Sequence, residues 1–158
     1  MLHGSINHVS ITVSDLTKAM AFFGPLLRFL GYEVSSIMHD ERTHHDLTVN
    51  LNERNGIAFN IWQAEPRLAR HPFEVYEPGL HHVAFNVERH EQVDEALALV
   101  RELGGEILDG PGEFPFGLGG YYALYFRGPD RLKFEIVHMP AAEARAREHQ
   151  RRLARSEP

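Results

Sequence analysis

A duplicated strand pattern is the feature that most constrains how this chain folds. The segment INHVSITV at 6–13 returns as LHHVAFNV at 80–87, and His82 follows His8 by 82 − 8 = 74 positions. Both segments alternate apolar and polar residues, which is typical of half-buried strands. Because successive side chains of a strand point to opposite faces, both histidines are predicted to face away from the core. The same alternation predicts that His81 points away from His82.

The duplication extends well beyond these two strands. Each copy continues with a helix ending in Leu-Gly, at 30–31 and 103–104, and closes with a strand, IAFNI at 57–61 and LKFEI at 132–136. The offsets of 104 − 31 = 73 and 135 − 60 = 75 place Glu135 opposite Asn60. Such a repeat predicts an α+β fold with two tandem β-α-β-β-β modules, over 5–63 and 80–139. The proline-rich stretch 64–79 is predicted to be the linker between them.

Local signals place the remaining elements. Ser14 or Asp15 is predicted to cap a helix from Leu16, and Pro25 to kink it or break it in two. A strand is expected over 32–38, and a Gly/Pro-rich loop over 109–120, which would serve either as a lid or as a plain β-connection. The tail over 140–158 is predicted to be helical, as a solvated helix or as an arm that packs on a second subunit.

Composition narrows the classes of function. The 158 residues suit one compact domain or two small units that share a core, and the net charge of −6 argues against nucleic acid or an anionic membrane as partner. Neither a signal peptide nor an apolar stretch long enough to span a bilayer is evident, so we expect a cytoplasmic protein. Because the chain has no cysteine, any metal must be held by His, Asp, Glu or Asn.

The repeated segments resemble the vicinal oxygen chelate superfamily, which includes glyoxalase I, fosfomycin-resistance transferases, bleomycin-resistance proteins and extradiol dioxygenases. The resemblance rests on INHVSITVSDL at 6–16, GLHHVAFNV at 79–87 and YYALYFRGPDRLKFEIV at 121–137. It implies paired modules that form an open eight-stranded, barrel-like sheet around a divalent metal. Carried over by position, it implies metal ligands at His8, His82 and Glu135. It also implies a homodimer, with the metal held within one chain or shared between two.

The fourth ligand position of glyoxalase I is occupied here by Asn60, whose neutral amide is a poor ligand for a borderline cation. We therefore expect Asn60, together with Trp62, to line a substrate pocket. Two imidazoles and a carboxylate suit Zn, Mn, Ni or Fe(II) and leave positions open for two adjacent substrate oxygens. This predicts a lyase, isomerase or group-addition enzyme acting on a small molecule. Tyr125 and Glu113 are the candidate catalytic residues.

Two other functions fit the same resemblance. Bleomycin-resistance proteins sequester a drug without a metal, and such a protein would have no need of the three ligands. The resemblance to ring-cleaving dioxygenases implies a histidine with five to seven residues between it and Leu124-Tyr125, which places it at 116–118. That interval holds Phe116, Gly117 and Leu118, so the acid–base histidine is missing there and the dioxygenase interpretation is disfavoured.

Overall fold

The computed structural model describes residues 5–71, 73–116 and 119–156, and the chain divides into two compact units. The first unit comprises Met1–Glu77 together with Gly128–Leu132. The second comprises Pro78–Arg127 and Lys133–Pro158. Each unit contains one four-stranded mixed sheet, in agreement with the predicted α+β class.

The first unit has the predicted β-α-β-β-β order. Its sheet has the strand order β1-β4-β3-β2, in which β1 and β4 run parallel and the other pairs are antiparallel. The elements are β1 (His8–Val13), α1 (Leu16–Phe29), β2 (Met38–Asp40), β3 (His45–Asn52) and β4 (Ile57–Gln63).

The second unit repeats this order and adds a helix. Its sheet has the order β5-β8-β7-β6, again with a parallel pair, β5 and β8, at one edge. The elements are β5 (Val83–Asn86), α2 (His90–Glu102), β6 (Glu106–Phe114), β7 (Tyr121–Arg127), β8 (Lys133–His138) and α3 (Pro140–Ser156). Both units therefore have the predicted order of elements, and the residues of the predicted tail form α3.

Each sheet packs its helix against one face only. In the first unit α1 lies on β3 and β4, where Phe23 packs on Phe59 with ring centroids 6.3 Å apart. In the second unit α2 lies on β6, β7 and β8 and buries Val93, Ala96 and Val100. The predicted site residues of β1, β4 and β8 lie on the faces opposite α1 and α2, because their strand positions alternate with the buried ones.

Of the two outcomes predicted at Pro25, a kink or a break of the first helix, the break is not observed. Residues 16–29 form one helix with Pro25 inside it, and Asp15 caps its start by accepting a hydrogen bond from the backbone N–H of Lys18 at 3.0 Å. Phe23 and Leu27, on either side of the proline, are both buried. Packing of both halves on the same sheet outweighs the hydrogen bond that the proline removes.

The strand predicted over 32–38 is also wrong, since only Glu33 bridges to Leu51 and β2 begins at Met38. Side chains replace the backbone ladder in this stretch. The backbone N–H of Ser35 donates to Asn50 Oδ1 at 3.2 Å, and the Ser35 hydroxyl accepts from the backbone N–H of Val49 at 3.0 Å.

The loop predicted over 109–120 is wrong for its first half, because β6 continues through Phe114. The pairing of β6 with β7 is irregular between Ile107 and Gly112, and this irregularity accommodates Gly110-Pro111 within the strand. Gly110 has φ of 78°, and a Cβ atom there would collide with the carbonyl oxygen of Ala123, so the strand requires glycine at this point. Residues 117–118 of the predicted lid lie outside the described residues.

Within the described part of the chain, no helix combines the length and apolar content needed to cross a membrane.

Candidate functional site

A buried carboxylate paired with an imidazole marks the face of the second sheet opposite α2. Glu135, in the middle of β8, is only 1% exposed. Its Oε2 lies 3.1 Å from Nε2 of His82, the residue that precedes β5. The parallel pairing of Ala84 with Glu135 brings the start of β5 beside this carboxylate. A buried carboxylate is costly unless it is hydrogen-bonded, so the pair explains how an acidic residue is accommodated between two apolar neighbours.

The second oxygen of Glu135 is held by Tyr121, whose phenol O–H donates a short hydrogen bond to Oε1. Tyr125, directly across from Glu135 on β7, lies on the same face. Burial raises the pKa of Tyr125, and hydrogen bonds with Tyr121 and Glu135 raise it further. Burial and the bond to Glu135 likewise raise the pKa of Tyr121. The carboxylate therefore sits at the centre of a group of protonated phenols.

Aromatic rings from the end of β6 enclose the two phenols. Phe114 meets the Tyr125 ring edge to face at 5.1 Å, and Phe116 meets the Tyr121 ring in the same way at 5.6 Å. Phe114 and Phe116 stack on each other at 6.0 Å. This cover lowers the local dielectric and strengthens the hydrogen bonds beneath it.

His81 does not point away from His82, and that prediction is wrong. The Nδ1 atoms of the two rings are 2.6 Å apart, and the ring centroids are separated by 4.9 Å. Strict alternation fails here because β5 begins only at Val83, so the two histidines precede the regular strand. One imidazole donates and the other accepts. Partial burial lowers the pKa of His81, and the charges of Lys133 and His82 lower it further.

His8 lies on the face of the first sheet opposite α1, as predicted. Its Nδ1 lies 2.9 Å from Oδ1 of Asn7. Because a carboxamide oxygen only accepts, this hydrogen-bond network assigns the proton to Nδ1 and leaves the Nε2 lone pair available. An imidazole whose far nitrogen is held in this way is the usual form of a metal-binding histidine.

Asn60 and Trp62 lie on the same face as His8. Asn60 pairs with Ser10 across the parallel strands and donates from Nδ2 to its hydroxyl at 3.3 Å. The Asn60 Oδ1 atom is buried and has no hydrogen-bond partner among the described residues. Such an orphaned acceptor is rare in folded proteins and frequently marks a functional position.

Glu113 lies apart from the other predicted residues of the second unit. It pairs with Tyr122 on β7, whereas Glu135 pairs with Tyr125, and these two tyrosines point to opposite faces of the sheet. Its carboxylate is 3.9 Å from Nε2 of His90, the first residue of α2. The structure therefore does not bring Glu113 to the carboxylate of Glu135.

The prediction from sequence missed Tyr121 as a site residue. The signal was available, because residues 121, 123 and 125 share one face of a strand and Tyr125 had been chosen. What the sequence did not reveal is that the Tyr121 phenol donates to Oε1 of Glu135.

The donors of each unit fit a divalent cation in chemical type. His8 offers a free imidazole lone pair, and His82 with Glu135 offers a nitrogen and an oxygen 3.1 Å apart, close to the separation of neighbouring ligands on one ion. No group of three or more His, Asp or Glu side chains within 5–71, 73–116 and 119–156 is arranged to hold a metal. The pair His82–Glu135 is thus the part of the predicted ligand set that one unit supplies by itself.

Comparisons with known proteins agree with the fold. A family model, the Glyoxalase/Bleomycin resistance protein/Dioxygenase superfamily, matches residues 5–136. An uncharacterised protein of Bacillus subtilis, YqjT, is 28% identical over 84% of this chain and 97% of its own length. The crystal structure of a proposed glyoxalase from Bacillus halodurans is 30% identical, with a TM-score of 0.70 over 86% of this chain and 96% of that one.

A more distant structure shares the fold alone. It is a variant of the fosfomycin resistance protein FosX from Listeria monocytogenes, in complex with Mn(II) and a dihydroxypropylphosphonic acid. It is 20% identical and has a TM-score of 0.56, covering 87% of this chain and 93% of that one.

Proposed function

This chain belongs to the Glyoxalase/Bleomycin resistance protein/Dioxygenase superfamily, and on that premise we propose that it is a divalent-metal-dependent enzyme. Its substrate is a small molecule with two adjacent oxygen atoms, and its reaction is of the lyase, isomerase or group-addition type. The observation that carries this proposal is the buried Glu135 carboxylate beside Nε2 of His82. Mn(II) in the FosX complex supports divalent-metal use within the same fold.

The proposed ligands are His8, His82 and Glu135. The repeat places His8 and His82 at equivalent positions, and the bond from His8 to Asn7 leaves its Nε2 free. His8 joins the other two either from the same chain or from a second copy in a homodimer. The bound cation, which is Zn, Mn, Ni or Fe(II), supplies Lewis-acid stabilisation of negative charge on the substrate oxygens.

The remaining residues bind and orient the substrate. Tyr125 presents a protonated phenol on the face that carries Glu135 and donates a hydrogen bond to a substrate oxygen. Asn60 and Trp62 form the neutral part of the pocket, where a polar group and an apolar body are bound. Glu113 is given no role, because it lies on the other face of its sheet.

A metal-free ligand-binding protein is the second candidate, and one observation favours it. Apolar side chains are exposed on the face of the first sheet opposite α1, with Met38 43%, Val49 39% and Leu51 41% exposed. An apolar sheet surface of this kind suits capture of a hydrophobic molecule.

Metal titration separates the two functions. Chelator-stripped protein is titrated with Mn(II), and free Mn(II) is followed by its electron paramagnetic resonance signal. We expect saturable binding by the wild type, and Glu135→Gln and His82→Ala to weaken it by more than about 100-fold, beyond the loss typical of outer-shell changes. His90→Ala, on the opposite face of the sheet, is the matched control and should bind like the wild type.

Two results would reject the metal-dependent function. One is a wild type that does not bind Mn(II), Zn(II), Ni(II) or Fe(II); the other is undiminished affinity in Glu135→Gln. Binding lost in His8→Ala as well would support the complete ligand set.

A further inference from the structure

We propose that Tyr121 is a positioning residue, which holds the Glu135 carboxylate in the orientation needed to bind a metal. The inference rests on the proposed function, in which Glu135 is a ligand. It concerns a residue to which neither the repeat nor the resemblance gives a role.

The two oxygens of Glu135 have different partners. Tyr121 donates to Oε1, while Oε2 lies 3.1 Å from Nε2 of His82. A carboxylate fixed at both oxygens cannot rotate about its terminal bond without losing a hydrogen bond. The phenol therefore directs Oε2, rather than Oε1, toward the imidazole that would share the ion.

Tyr121 is itself held in place. It starts β7 and pairs with Phe114, and its ring meets Phe116 edge to face at 5.6 Å. These contacts restrict the ring before any ligand arrives. A preorganised donor of this kind orients a ligand at little further entropic cost.

The hydrogen bond from Tyr121 to Glu135 could persist when a metal binds, whereas the hydrogen bond between His82 and Glu135 could not. If His82 and Glu135 bind one ion, the hydrogen bond between Nε2 and Oε2 is replaced by two metal bonds. The bond from Tyr121 to Oε1 uses the other oxygen and remains compatible with a carboxylate bound through Oε2. Outer-shell hydrogen bonds to ligating groups typically change metal affinity 10- to 100-fold.

The test compares Tyr121→Phe with Tyr122→Phe. Tyr122 is the adjacent residue of the same strand, and its phenol also donates to a carboxylate, at 2.8 Å to Asp94, but it lies on the other face of the sheet. We expect Mn(II) affinity to fall by about 10- to 100-fold in Tyr121→Phe and by less than about 2-fold in Tyr122→Phe.

A double-mutant cycle separates positioning from a merely structural role. If Tyr121 acts through Glu135, adding Tyr121→Phe to Glu135→Gln should cause no further loss of affinity. Additive losses would mean that the phenol acts on the fold as a whole and would overturn the proposal. The ligand-field spectrum of the Co(II) form should also change in Tyr121→Phe and not in Tyr122→Phe.

The outcomes also distinguish the two proposals. Wild-type protein that binds no divalent metal would overturn the proposed function together with this inference. Wild-type binding with undiminished affinity in Tyr121→Phe would overturn the role of Tyr121 alone.

Discussion

The two units share a backbone plan but differ in the chemistry of the face that lies opposite their helix. At equivalent positions of the last strand, Asn60 pairs with Val49 in the first unit, whereas Glu135 pairs with Tyr125 in the second. The first unit thus presents a neutral amide beside an aliphatic side chain. The second presents a carboxylate beside a phenol. Duplication supplied the scaffold twice, and of the two equivalent positions only that of the second unit carries an acidic side chain.

The faces that pack against the helices also differ, but here the first unit is the more polar of the two. In the first unit Thr48 and Asn50 are both fully buried beneath α1. Their counterparts in the second unit, at the same ladder positions, are Leu124 and Phe126. Asn50 is fully satisfied, since it donates to Thr48 Oγ1 at 3.0 Å and to the backbone carbonyl of Phe59 at 2.8 Å and accepts from Ser35.

Strand β3 has therefore exchanged its two faces relative to β7. Its polar residues are buried against the helix, and its apolar Val49 and Leu51 are exposed. The buried polar residues replace hydrophobic contact with hydrogen bonds. A strand can therefore exchange its polar and apolar faces and keep its pairing, provided every buried polar group has a hydrogen-bond partner.

The largest effect is expected from a variant that removes apolar packing in the second unit. Phe126→Ala should lower the free energy of unfolding by about 3–5 kcal/mol, because a fully buried ring leaves a cavity under α2. Urea denaturation followed by circular dichroism measures it. Phe116→Ala, at an exposed aromatic, is the control and should cost under about 1 kcal/mol. A similar small cost at Phe126 would show that the second core is not packed as described.

An intermediate effect is expected from the polar counterpart in the first unit. Asn50→Ala leaves the carbonyl of Phe59 and the N–H of Ser35 without their partner, which should cost about 1–3 kcal/mol. The control is Asn55→Ala, which removes an exposed amide that accepts from Ile57, and it should cost less. The same urea experiment measures both. Equal costs would mean that burial of Asn50 contributes nothing.

The smallest effect tests the reversed face directly. Val49→Thr should change the free energy of unfolding by less than about 0.5 kcal/mol, because an exposed hydroxyl at this position stays hydrated. Val13→Thr, at a buried position of the same sheet, should cost about 1–3 kcal/mol. Thermal or urea unfolding of the two variants side by side decides the matter. A large loss in Val49→Thr would contradict the assignment of this face.

Much of the fold could be predicted because the repeat supplied two readings of each element. β4 was predicted over Ile57–Gln63 and is observed with those bounds. The strand predicted over 32–38 is not formed, because the backbone N–H of Ser35 donates to the side chain of Asn50. No local sequence pattern encodes this contact between residues 15 apart. The alternative of a break at Pro25 fails because packing on the sheet outweighs the local effect of proline.

The candidate site was only partly predictable. The faces of His8 and Glu135 followed from period-two alternation, whereas His82 precedes the regular strand, and the roles of all three as ligands stay predictions. The contact between His81 and His82 was not predictable, because it depends on where the regular strand begins. The partners of Glu135 were not predictable either, because strand position alone does not give the side-chain distances that bring Tyr121 and His82 to its two oxygens.

The hydrogen bonds of Glu135 bear on whether the protein would need a cation in order to fold. In many metal-binding proteins the chain stays unfolded until the ion binds, because the ligands repel one another in its absence. Here His82 and Tyr121 already satisfy the carboxylate. If Glu135 binds a metal as proposed, the second unit does not need the cation in order to accommodate this buried carboxylate as it folds. The identity of the cation would then depend on the metals available in the surroundings as well as on the ligand types.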